Sequence, residues 1–566
     1  MKRGGGGGGG VWTGVERQRS HTFSVLQMKG GFSIRTILVC MVIVCIGVVS
    51  VGVDVRASDD DNNTIVYDLS DVIDGGNVLR MIKTLASCCN AALTDQYNDD
   101  SDEYAYTSAV TRVVFSPEDL KAREVIRSWM LELDLIVRED AIGNIFGEWV
   151  GSGKDNSGSV LTGSHIDALP LAGAYDGVLG VVGALEAIRA LKAINYVPVR
   201  SIEIIMFTSE EPTRFGLSCL GSRVMSGALD SELAGSLVGQ DGLDIVGAMR
   251  QAGYHGHNVM RELDESIDSG SREEDAASLH EVFSRVQLES KNRFSAFVEL
   301  HIEQGPLLER NGDVLGVVGS IAAPSYRQYH FHALGGHAGA LMMEDRHGHD
   351  ALLAAAELAL SVEEAALKAK KVWEASDDND SRSSEYVGTV ATVGRIDVTP
   401  GAVNSVARLA TVHVDVRDDN SQRRDDVVNE IEAAATRIAK QRGVTLKKKQ
   451  VTEDPAMISD KNIVNIIEDV AEKIKIMSQE KANGAQNEEA VFKWRRMVSR
   501  AYHDSTFMSM IAPSAMIFIP CKGGVSHRPD EFSSKQDMEV GVLALAMTLR
   551  KLSSSIENNI NVDDEL

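Results

Sequence analysis

Basic residues are the scarce charge in this chain: 57 Lys and Arg face 82 Asp and Glu, a formal net charge of −25. A phosphate backbone selects cationic surfaces, so this balance excludes nucleic acid as a partner. Cysteine is scarcer still. Of the 6 present, Cys40 and Cys45 sit in an apolar leader, which leaves Cys88, Cys89, Cys219 and Cys521. Their irregular spacing carries no disulfide framework and no zinc-ribbon pattern, although a single disulfide stays open. A metal site in this chain must therefore be built from His and carboxylates. There is no internal repeat, and the long apolar run lies at one end, from Thr36 to Val53.

That run follows a Gly-rich stretch with scattered Lys and Arg, and Val55-Arg-Ala57 after it resembles a small-residue cleavage site. Residues 1–57 read as a signal sequence with a basic leader, and a start at Met28 would give a more usual signal length. A single membrane anchor is the alternative, since 18 residues just span a bilayer. The tail, residues 557–566, ends Asp563-Asp564-Glu565-Leu566, close to the Lys-Asp-Glu-Leu retention address. Together the two ends predict the lumen of the endoplasmic reticulum, with no membrane contact after leader removal. An anchored or secreted form is the alternative. Asn62 and Asn379 begin glycosylation sequons that a lumenal chain could use.

What is present suits a soluble globular protein: 43% hydrophobic and 25% charged residues over 566 positions, enough for two domains. Helical periodicity runs from Val72 and again from Pro117 to Leu135, with short apolar strands at 135–137, 142–150 and 159–162. A helix over 177–193 and a strand over 199–208 follow, so strand, loop, helix and strand alternate as in parallel βαβ connections. Residues 254–292 are charged and weakly patterned, and read as a surface insert. From 329 the pattern alternates, with strands at 329–333, 387–397 and 409–417 and amphipathic helices at 350–368 and 425–442. The expected fold is a mixed, largely parallel α/β sheet domain (65–322 and 456–556) with a smaller two-layer α/β domain inserted at 323–455. A chain that leaves its first domain and returns sets both against one cleft.

Five segments end a strand or open a loop with metal-type side chains: His165-Ile-Asp167, Asp176-Gly177, Glu210-Glu211, His301 and His527. Taken singly each reads as structural: His-x-Asp as a surface hydrogen bond, Glu210-Glu211 as solvated charges, His301 as a core histidine. Together at the carboxyl ends of neighbouring strands, where ligands collect, they read as a metal centre. Two divalent metals there have one use above others, which is to acidify a water until it attacks a carbonyl at neutral pH. One carboxylate must stay off the metals to move the proton.

Gly163-Ser-His-Ile-Asp167, Phe207-Thr-Ser-Glu-Glu211, Arg214-Phe-Gly216, Gly221-Ser-Arg223, Glu299-Leu-His-Ile-Glu-Gln-Gly305, Gly336-His-Ala-Gly339 and Pro400-Gly-Ala-Val-Asn404 resemble the signatures of dinuclear-metal amidohydrolases. That family includes N-carbamoyl amino acid hydrolases, allantoate amidohydrolase and ureidoglycolate amidohydrolase. The resemblance covers roughly 72–552 and implies that His165 and His301 hold one metal, Glu211 and His527 the other, and Asp176 bridges them. It makes Glu210 the general base and Asp167 the group that orients His165. Gln304, Asn404 and Arg417 match positions that bind the substrate's amide and carboxylate. His337 matches a histidine of the inserted lid and dimerisation domain that reaches the neighbouring subunit's site, so a homodimer is expected. Manganese is the metal implied, while the ligand types also accept zinc or cobalt.

Two departures point to the ureidoglycolate branch. His337-Ala-Gly-Ala-Leu-Met-Met343 stands where the other branches usually read His-Ala-Gly-Thr-x-Pro-Met, and Ser499-Arg-Ala-Tyr502-His503-Asp504 stands for their Gly-Ala-Gly-His-Asp. Tyr502 in place of a glycine would narrow the pocket and add a hydroxyl for a small polar ureide, with His503 beside it in the substrate site. The expected reaction is hydrolysis of ureidoglycolate to glyoxylate, ammonia and carbon dioxide in ureide degradation. Allantoate or an N-carbamoyl amino acid is the alternative substrate, and an inactive ureide- or metal-binding relative is the alternative outside enzymes.

Overall fold

The computed structural model describes residues 69–89, 109–153, 158–239, 241–253, 272–374, 388–485 and 492–554. All belong to one compact unit, Asp61–Leu566. The leader (1–57), the tail (557–566) and both sequons lie outside the described residues. Among the described residues, no helix is long and apolar enough to cross a membrane.

A nine-stranded sheet carries the larger body, in the order Met457–Ile458, Leu315–Ile321, Ser514–Ile519, Phe294–Ile302, Ser159–His165, Ile202–Phe207, Ile145–Trp149, Ile136–Glu139, with Trp494–Ser499 also paired to Leu315–Ile321. Its centre is parallel: Ser514–Ile519, Phe294–Ile302, Ser159–His165 and Ile202–Phe207 run together. The hairpin at 136–149 closes one side antiparallel, which makes the sheet mixed. Both faces are covered, and that explains strands without polar alternation. Val160, Ile202 and Ile204 pack with helices Gly75–Ala86, Val178–Ala193, Lys461–Ala485 and Lys535–Ser554. Leu161, Ile205 and Phe207 point the other way, into a second cluster.

That second cluster corrects one expectation. The stretch at 254–292 is not all surface insert: Arg272–Ser290 is a helix that buries Leu279, Val282, Phe283 and Val286. Their spacing of three, four and seven is a helical stripe that the surrounding charges obscured.

A second sheet of four antiparallel strands has the order Val390–Thr399, Leu409–Asp418, Ala323–His332, Thr445–Glu453. Val412, Val414 and Val416 face helices Ala351–Glu374 and Ser421–Arg442, so one face is a core and the other is open. The sequence pattern missed the edge strand Thr445–Glu453, because Lys447, Lys448 and Lys449 break its alternation. Lysines on an edge discourage pairing with another chain.

Candidate metal centre and active site

The parallel strands end together, and the candidate ligands sit where they end. His165 is the last residue of a strand buried along its whole length, and His301 is the penultimate residue of the adjacent one. The loop after His165 returns as Asp176-Gly177 and enters the helix Val178–Ala193. Gly177 has φ 65°, and a Cβ there would lie 2.3 Å from His165 Nε2, so only glycine lets that helix start beneath the ring.

Asp176 is the hub. His301 Nε2 lies 3.1 Å and His165 Nε2 3.8 Å from its Oδ1, while His527 Nε2 lies 3.1 Å from its Oδ2. Glu211 Oε1 is 3.6 Å from His527 Nε2. Two groups able to hold a cation result, His165–Asp176–His301 and Asp176–Glu211–His527, and they share Asp176. A third grouping, Glu299–His301–His503, shares His301.

The histidine tautomers suit ligation. His301 Nδ1 donates to the Ile302 carbonyl at 2.8 Å and His165 Nδ1 to the Asp167 carbonyl at 3.1 Å, which turns Nε2 of both rings to the centre, where a metal would replace its proton. Asp167 also fixes the acidic pair, accepting the backbone N–H of Glu210 at 3.1 Å and of Glu211 at 3.0 Å. Glu210 stays outside both ligand groups, with Oε2 3.7 Å from His165 Nε2. Ser209, Gln304 and His527 all have left-handed φ, between 55° and 58°. Such backbone is uncommon outside glycine and clusters where side chains are re-aimed at function.

The donors fit divalent cations because acid here outweighs base. Asp167, Asp176, Glu210, Glu211 and Asp504 are buried around the histidines, and no Lys or Arg pairs with them among the described residues. Burial, with neighbouring carboxylates, pushes Glu210 well above the carboxylate range, Glu211 to about 8 and Asp504 to about 8. Burial works against charge on His165, yet Asp167, Glu210 and Asp176 hold it well above its ordinary value. Burial likewise opposes ionisation of Asp176, and bonds from His301 and His527 hold its carboxyl well below the usual range. A site this short of positive charge is shaped for metal ions.

Residues 161–551 match the family described as Peptidase family M20/M25/M40. The chain belongs to that family. Its members are generally dinuclear metal-dependent hydrolases of C–N bonds, and the paired clusters around Asp176 agree with two metals per chain. Over 449 residues the chain is 44% identical to a ureidoglycolate hydrolase of Oryza sativa subsp. japonica, covering 79% of this chain and 81% of that one. Crystal structures of AtUAH with (S)-hydroxyglycine and with glyoxylate superpose with TM-scores of 0.66 and 0.65 at 40% identity, each covering 86% of this chain and 99% of that one.

Not every predicted residue of this M20 chain converges on Asp176. Gln304 does: its Nε2 donates to Asp176 Oδ2 at 2.7 Å, and its Oε1 is buried without a partner. Buried His503 packs edge-on to His301, ring centroids 4.5 Å apart, and bonds Ser499 at 3.0 Å, so it backs a ligand; burial and His301 keep it neutral. The hydroxyl of Tyr502 accepts from Arg223 at 3.0 Å, and Arg223 grips Asp454 through both nitrogens at 2.8 and 2.7 Å. Arg417 lies on the open face of the four-stranded sheet, clamped by Asp415 at 3.0 Å and donating to the Arg500 carbonyl at 3.0 Å. His337 and Asn404 are exposed neighbours at the short ladder of Gly336–His337 with Ser405–Val406, Ala338 N donating to the Asn404 carbonyl at 2.9 Å.

Three supporting residues were not predicted. Glu531 accepts the N–H groups of Tyr175 and Asp176 and the Ser526 hydroxyl. Glu299 accepts Ser164 and Ser505. Buried Arg112 donates to the carbonyl of Ile166, between His165 and Asp167. Long-range partners of this kind leave no local sequence signal.

Proposed function

We propose that this chain hydrolyses ureidoglycolate, releasing ammonia and carbon dioxide and ending at glyoxylate. The observation that carries the reading is Glu210, buried beside two ligand clusters yet part of neither, with its backbone fixed by Asp167. Likeness to ureidoglycolate hydrolases supports the substrate.

His165, Asp176 and His301 would hold one divalent metal, and Asp176, Glu211 and His527 the other, with manganese as the proposed ion. Bound there, the metals would polarise the ureido carbonyl and make water more acidic. Glu210 takes a proton from the attacking water, the water oxygen bonds to the carbonyl carbon, and the C–N bond breaks as that proton passes to the leaving nitrogen. Asp167 keeps Glu210 and the His165 ring in place throughout. Gln304, at Asp176, offers an amide to the substrate's polar groups, and Arg417 and Asn404 reach its carboxylate from the smaller domain.

The active unit proposed is a homodimer. His337 is exposed in the single chain, which supports a role in a second copy's site, where it would stabilise the developing oxyanion. The leader and tail motifs support residence in the lumen of the endoplasmic reticulum.

The test is ammonia release by leaderless, metal-depleted protein given manganese, with ureidoglycolate and allantoate side by side. Fast release from ureidoglycolate alone is expected. Preference for allantoate would overturn the substrate, and full turnover by Glu210→Gln would overturn the mechanism.

A further inference from the structure

We infer that Cys219 is a positioning residue for Glu210, its thiol steering one carboxyl oxygen so that the other faces the metal centre. The inference rests on the reading of Glu210 as proton carrier. Cys219 Sγ lies 3.4 Å from Glu210 Oε1, while Oε2 of the same carboxyl is the oxygen turned to His165. Among the described residues no other side chain is hydrogen-bonded to the Glu210 carboxyl.

The backbone is built to bring that thiol there. Cys219 N donates to the Glu210 carbonyl, Leu220 N to Ser209 and Gly221 N to Thr208, each at 2.8 Å, so residues 219–221 lie against 208–210 as a backbone seam. The seam requires two non-glycine residues in left-handed conformation, Ser209 at φ 57° and Cys219 at φ 58°. It is also tightly shut: a Cβ on Gly221 would lie 2.1 Å from Asn144 Oδ1, the atom that accepts Thr208 N at 2.9 Å. Left-handed backbone at a side-chain-bearing residue is retained where the surroundings require it. Here it aims Cys219 at Glu210.

A thiol suits the task chemically. It is a weak donor, so it can orient a carboxylate without strongly favouring the ionised form, whereas a hydroxyl or guanidinium would lower its basicity. Cys219 is fully buried and burial keeps its proton on, so it remains a donor and not a nucleophile.

The test compares Cys219→Gly and Cys219→Ser with the parent and with Glu210→Gln, all loaded with manganese, reading kcat, KM, bound metal and melting temperature. Glycine deletes the thiol yet accepts left-handed φ, so the fold survives. Expected for Cys219→Gly is a kcat lower by about fivefold, the scale of one ordinary lost hydrogen bond, at unchanged KM and metal content. Serine, which restores a donor at shorter reach, should recover at least part of that loss. Turnover by Cys219→Gly within about twofold of the parent, with Glu210→Gln silent, would overturn the inference and leave the proposed function standing. A loss that follows metal content or melting temperature, and that serine does not relieve, would also overturn it. Turnover by Glu210→Gln would instead remove the mechanism on which it rests.

Discussion

Glu531 holds Asp176 by the backbone: one carboxyl oxygen accepts the Asp176 N–H at 3.0 Å and the Tyr175 N–H at 2.9 Å, while the other accepts the Ser526 hydroxyl at 2.9 Å. One buried side chain thus sets the loop of the shared carboxylate against the loop that presents His527. Partners of this kind typically account for about 10- to 100-fold in metal affinity. Glu531→Ala should weaken manganese binding by about that factor in equilibrium dialysis, and Glu531→Gln, which keeps one acceptor, by less. Equal affinity in all three proteins would show that the two loops are held by other contacts.

The metal-free protein should lose stability as pH rises. Glu211 is held at about 8 against an ordinary 4.5 by burial and Asp176, and His527 at about 9 against 6.5 chiefly by its bond to Asp176. In both cases the folded state binds the proton more tightly, so stability falls through the window from about pH 4.5 to 9. Melting temperature of chelated protein should drop steadily across that window. Bound manganese competes with these protons and should flatten the curve.

Asp454 and Arg223 join the end of the strand Thr445–Glu453 to the helix Leu220–Ser226, both side chains largely buried. Asp454→Ala strands a buried guanidinium and should cost about 3 kcal/mol in urea unfolding. Tyr502→Phe removes only the hydroxyl that bonds Arg223, so ureidoglycolate preference over allantoate should persist. Tyr502→Gly opens space as well, and a gain of allantoate turnover there would assign the ring, not the hydroxyl, to selectivity.

If His337 serves the neighbouring copy, two dead proteins can repair each other. Glu210→Gln and His337→Ala, mixed and refolded together, should recover roughly a quarter of parental ammonia release, because half of random dimers are mixed and each holds one intact site. No recovery would place His337 in its own subunit's site or outside any.

The sequence made the centre legible where ligands sit in short motifs at strand ends. His165, Asp176, Glu211, His301 and His527 could be named as candidates from the sequence, and the structure gathers them into two groups that share Asp176. Tyr502 was harder: its identity could be read, but its partner Arg223 lies 279 positions away. Glu299, Glu531 and Arg112 were illegible for the same reason, since a buried carboxylate or guanidinium is defined by partners that only folding supplies. The helix Arg272–Ser290 was hidden differently, by charged residues filling the positions between its buried ones.

The two clusters draw on positions 165, 176, 211, 301 and 527, and the strand Ser514–Ile519, which leads to His527, lies inside the sheet between Phe294–Ile302 and Leu315–Ile321. During synthesis a chain released only as far as the four-stranded sheet would own one cluster and two of the three members of the other. Tight capture of a metal pair must then wait for the last strand of the described residues to slot between two already made. Loading with a metal pair becomes a record of completed assembly, since a chain stalled before that step lacks His527 and can offer only the cluster of His165, Asp176 and His301.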